Sequence, residues 1–169
     1  VKVEKQHRVL LGTAVFLMVV SAVWSQSLEI EVEGWWNVTI DESDLQGGPG
    51  SDLSETFTSD VDQISVTIIK DVPGSPWLEE FYWRVDVRRA DANWHPNFSL
   101  WIRRTANGSG NGSVSGGTVF QEVDPIDRSF FSGFMARRGI KIQLELRNMS
   151  VQIPPDEYTT TLIYTVVEL

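Results

Sequence analysis

Asp41, Glu42, Asp44 and Asp52, spaced around Gly47, Gly48 and Gly50, place hard oxygen ligands on a pliable turn, which is what a calcium ion requires. The spacing is not that of an EF-hand loop. The cluster reads first as a charged, glycine-rich loop, with a calcium site on Asp41, Asp44 and Asp52 as the alternative and no other cofactor implied. A second resource is tryptophan, at 35, 36, 77, 83, 94 and 101, since an exposed indole face is a platform for a sugar ring or a guanidinium. Five asparagines, Asn37, Asn97, Asn107, Asn111 and Asn148, stand in Asn-X-Ser/Thr, the acceptor triplet for N-linked glycans, which demands an outward or loop position. Polar turns also generate such triplets unaided, so both readings stay open.

Catalytic chemistry has few residues to draw on. The chain has no cysteine, and beyond His7 its one histidine is His95, between Trp94 and Pro96, so a Cys–His pair and a multi-histidine metal site are excluded there. No Gly-X-Ser-X-Gly elbow accompanies His95. Most carboxylates fall where a strand or loop meets water, and the expectation is a protein that is not an enzyme.

These residues are carried by a chain that opens like an export signal. Lys2, Lys5 and Arg8 precede an apolar run from Val9 to Trp24 and then Ser25-Gln26-Ser27. At 16 residues that run is shorter than the roughly 20 that span a bilayer. We read residues 1–25 as a signal peptide and 26–169 as one secreted domain, extracellular or at the cell surface. Cleavage after Ser27 and retention as a membrane anchor are the alternatives, and membrane contact is expected only through this segment. Without Lys2, Glu4, Lys5 and Arg8 the chain keeps 22 acidic and 11 basic side chains, net −11, which disfavours a nucleic-acid partner. The lack of cysteine leaves cohesion to the core.

The elements that must position these groups are strands. From Leu28 to Glu33 apolar and acidic residues alternate strictly, and the parity continues past Gly34 through Trp36, Val38 and Ile40. Similar rows are Ile64-Val66-Ile68, Phe81-Trp83-Val85-Val87, Phe98-Leu100-Ile102, Val119-Phe120, Ile140-Ile142-Leu144-Leu146 and Leu162-Tyr164-Val166. With no helical period outside the signal, the pattern predicts an all-β, antiparallel, two-sheet sandwich, Ig-like or jelly-roll. Parity places Trp36 and Trp83 in the core and Trp35 and Trp101 outside. If strands 81–89 and 98–104 pair through the turn at Asn93–Pro96, Trp101 stacks with Arg84 or Arg88. The stretch 105–117 reads as a flexible hairpin tip.

Residues 154–166, Pro-Pro-Asp-Glu-Tyr-Thr-Thr-Thr-Leu-Ile-Tyr-Thr-Val, resemble the closing strand of secreted bacterial surface β-sandwiches of the spore-coat-U, fimbrial and WxL-like kind. The resemblance implies a non-enzymatic envelope, coat or filament component and transfers no site residues. The resulting expectation is a secreted structural protein, a filament, pilus or coat subunit, whose partners are copies of itself or other envelope proteins. Residues 28–40, if extended, reach about 43 Å at roughly 3.3 Å per residue. Leu28, Ile30 and Val32 are therefore candidates for a strand donated to a neighbour, against a first strand that kinks at Gly34 and crosses between its own sheets. The alternative function is a carbohydrate-binding module using Trp35 and Trp101. Intact-mass measurement of exported material is expected to find an N-terminus at Gln26; material still carrying Lys2 would favour the anchor.

Overall fold

A computed structural model describes residues 2–5, 27–47, 50–71 and 77–169. Most of the segment read as a signal lies outside them, and among the described residues no helix is long and apolar enough to cross a membrane. The fold is a β-sandwich of two six-stranded sheets. The first runs β3 (Trp36–Thr39), β1 (Lys2–Lys5), β12 (Glu157–Glu168), β6 (Tyr82–Asn93), β10 (Arg128–Phe134), β8 (Ser113–Ser115). The second runs β2 (Ser27–Glu33), β5 (Ile64–Asp71), β11 (Arg137–Arg147), β7 (Ser99–Ala106), β9 (Gln121–Val123), with β4 (Thr56–Thr58) on the far end of β11. Pairing is antiparallel except between β1 and β12.

The strand order selects the jelly roll over the Ig-like alternative. β7 pairs with β9, β6 with β10 and β5 with β11, so successive partners of one long hairpin alternate between the sheets. The outermost partners, β3 and β12, run antiparallel with β1 between them. β1 falls inside residues 1–25, the segment read as a signal peptide.

Alternation explains the interior. Trp83, Val85 and Val87 of β6 and Ile140, Ile142, Leu144 and Leu146 of β11 are buried, joined by Ile64, Val66 and Ile68 of β5 and Leu100 and Ile102 of β7. Trp83 is wholly enclosed; its indole N–H donates to the Met135 carbonyl at 2.8 Å, and its ring meets Phe131 edge-on at 5.9 Å. Gly133 lies beneath it, where a Cβ would come within 2.2 Å of the ring.

Residues 28–40 follow the intramolecular alternative: the chain turns at Gly34, sending β2 to the second sheet and β3 to the first. Two differences from the sequence expectation have local causes. β10 is not announced by alternation, because a bulge between Ser129 and Phe131 turns both Phe130 and Phe131 inward. The pair at Val119-Phe120 precedes the strand, which begins at Gln121. Denaturant melts are expected to separate two tryptophans: Trp83→Ala should lose about 3–5 kcal/mol, Trp101→Ala about 1 kcal/mol, and equal losses would contradict the face assignment.

Candidate functional site

The three proposed calcium ligands are not brought together. Asp41 caps the short 3-10 turn Glu42–Asp44, accepting from the Ser43 amide at 2.8 Å and its hydroxyl at 2.7 Å, and Asp44 accepts from the Asp41 amide at 2.9 Å. The carboxylate of Asp52 accepts from the amides of Leu53 (2.9 Å) and Val151 (3.1 Å). Hydrogen bonds from Ser43 hold Asp41, and those from Val151 and Leu53 hold Asp52, below the usual carboxylate range. Among the described residues no three acidic or histidine side chains converge as metal ligands; Gly48 lies outside the described set.

The tryptophans sort as parity predicts. Trp36 is buried and Trp35 is 60 % exposed at the β2–β3 corner. Trp101 stands on the outer face of the second sheet, but its stacking partner is Arg147, with the guanidinium carbon 3.9 Å from the ring centroid. Arg84 and Arg88 do not reach it, because β6 and β7 do not pair: the chain crosses to the other sheet at residues 94–98, and β7 docks on β11. Trp35 and Trp101 thus form no paired platform. His95 accepts from the Asn97 amide at 3.3 Å and packs against Phe98 and Tyr158.

Of the triplet asparagines, Asn97, Asn107, Asn111 and Asn148 are exposed, whereas Asn37 is half-buried with its side-chain oxygen enclosed and unpaired. Leu28, Ile30 and Val32 belong to β2, which pairs with β5 from Ser27 opposite Asp71 to Glu33 opposite Ser65; Val32 is buried and the other two pack on the core. β2 is an edge strand, and among the described residues nothing pairs with its outer side.

The feature that alternation conceals is at the other end of β11. Arg137 has the parity of a wet-face residue, yet a bulge between it and Ile140, with Gly139 at φ 70°, turns it inward to 7 % exposure. Its guanidinium donates to the Asn107 carbonyl (3.1 and 2.8 Å), Gly108 (2.7 Å), Gly110 (2.8 Å) and Gly112 (2.8 Å). The stretch expected to be a flexible tip is therefore clamped, and it contains β8. Arg104 is buried beside it, donating to the Gly116 carbonyl at 2.8 Å and to the side chain of Asn107. Burial holds its guanidinium below the usual range. Arg104 was discoverable in the sequence as a charge at a core-parity position after Leu100 and Ile102; Arg137 was not, since its direction depends on the bulge.

Comparison with known proteins finds no matching family model, no similar curated protein and no similar solved structure. Arg137→Ala is expected to remove the clamp, costing about 1.5–3 kcal/mol and abolishing amide-exchange protection across residues 107–117. Protection unchanged there would show that the glycines hold the loop alone.

Proposed function

We propose that this is a secreted structural protein of the cell surface, a coat or filament subunit that associates with copies of itself or other envelope proteins through sheet edges. The observation that carries the reading is β2. It is a seven-residue edge strand without proline or bulge, open along its whole outer side from Ser27 to Glu33 and longer than the edge strands β3, β8 and β9, which have four, three and three residues; on the other sheet, β12 is covered by β1 only from Glu157 to Thr160. A regular open edge is a template for strand addition.

Charge restricts the partner. Glu29, Glu31 and Glu33 are exposed along β2, so pairing two β2 strands sets acidic rows side by side, which is unfavourable. A contact between β2 and a different surface is heterologous and propagates as a fibre when the rotation does not close. In this arrangement Leu28, Ile30 and Val32 stay in their own core and the main chain makes the contact, in place of a strand that leaves the domain.

Electron microscopy and sedimentation of the exported chain test this, with Glu29→Pro and Ile30→Pro as edge blockers. Ladder hydrogen bonds alternate along an antiparallel strand, so one of the two residues points its N–H away from β5. The variant that keeps the parent melting curve should lose assemblies. A parent that stays monomeric at high concentration, or assemblies that survive the tolerated proline, would refute the reading.

A further inference from the structure

Among the described residues from Lys70 onward, six cations have carboxylate partners: Lys70, Arg84, Arg88, Arg89, Arg128 and Arg147. In the same stretch the five without an ion pair are Arg103, Arg104, Arg137, Arg138 and Lys141, and register brings them to one end of the molecule. Lys141 is opposite Ala106 and Ile142 opposite Arg104 on β7, and Arg138 bridges to Ser109. Arg104 and Arg137 both bind Asn107, and every oxygen they contact is neutral. Two buried guanidiniums that close together repel each other and lack a countercharge, an arrangement that an anion at the site would relieve.

A groove of about 730 Å³ opens over this end, and its lining includes Arg103, Arg104, Thr118 and Lys141, with Asp62 on the same wall. Asp62 forms no ion pair with any of these cations. The Lys141 side chain has no hydrogen bond or ion pair among the described residues, and Arg103 uses its Nε on Gln143 at 2.9 Å and lies over Phe120. The loop also shapes a second hollow of about 260 Å³, where Arg138 stacks on Trp77 at 4.8 Å beside Ser109 and Asn111. Free cations next to a carboxylate, hydroxyls and an indole suit a ligand that carries both anionic groups and many hydroxyls.

We propose that this end binds an acidic saccharide, one whose rings carry carboxylates. Arg103 and Lys141 take the carboxylates, Asp62 and Thr118 meet ring hydroxyls, and the Trp77–Arg138 pair receives a neighbouring ring. Charge-assisted bonds from a guanidinium to a carboxylate are the strong polar contacts in such a site, and the buried Arg104 and Arg137 add their field from below. Duplex nucleic acid fits poorly, because its charge every 1.7 Å or so meets a chain of net charge −9. The proposal is independent of edge-to-edge assembly.

Affinity electrophoresis of the exported chain in gels cast with polygalacturonate, dextran sulfate or neutral dextran tests it. Polygalacturonate should retard the protein, more weakly as salt rises, and dextran should not. The double variant Arg103→Gln/Lys141→Gln should bind polygalacturonate roughly tenfold more weakly or worse, a loss of about 1.4 kcal/mol. Lys141→Glu, which disturbs no side-chain contact, should do the same with an unchanged melting curve, and Trp101→Ala should bind like the parent. No retardation, retardation by dextran sulfate alone, equal retardation by neutral dextran, or full binding by Lys141→Glu would overturn the assignment.

Discussion

The apolar rows of β6 and β11, Trp83, Val85 and Val87 on one side and Ile140, Ile142, Leu144 and Leu146 on the other, line the space between the two sheets. With no cysteine to staple the domain, its cohesion rests on keeping that space dry. Both strands sit inside their sheets, and their antiparallel neighbours follow from the winding: β12 and β10 flank β6, while β5 and β7 flank β11. Each neighbour then adds its own row, and the loops are left to reconcile the ends.

That reconciliation is done by bulges. The irregularity in β10 brings two consecutive phenylalanines inward, with ring centroids 4.9 Å apart, and one of them closes against the edge of Trp83. The irregularity in β11 turns a guanidinium toward the interior. A buried arginine is tolerable only when its donors are satisfied, and the carbonyls of residues 107–112 supply the acceptors. The composition of that loop, mostly glycine, serine and asparagine, thus has a specific purpose here: small residues let the main chain curl close enough for its carbonyls to converge on one side chain.

The charge distribution follows from the same geometry. Acidic residues dominate the surface, and β2 carries a row of them at the edge of the second sheet. Most arginines on the wet faces meet a carboxylate on their own or a nearby strand, as Arg84 does with Asp86 at 2.6 Å and Arg147 with Glu145. At the clamped loop the pattern breaks, and unpaired cations gather around backbone oxygens. The charge is thus divided between two surfaces, acidic over most of the sheets and cationic at the end where Arg103, Arg138 and Lys141 gather.

Period-two alternation by itself determined that the chain is all-β, that its sheets have one wet and one dry face, and that Trp36 and Trp83 are core residues while Trp35 and Trp101 face outward. Those properties are local, set by the direction of successive side chains along a strand. The choice of jelly roll, the docking of β7 on β11 instead of β6, and hence the stacking of Arg147 on Trp101, required the tertiary structure. Pairing joins residues far apart in the chain, as Glu145 and Trp101 are, and alternation is indifferent to which strand lies alongside. The same holds for Arg137: one extra residue in a ladder reverses every direction beyond it, and only the partner strand reveals where that residue is inserted. The carboxylates of Asp41, Asp44 and Asp52 are near in sequence and look like a cation site until the backbone amides they accept from are in place.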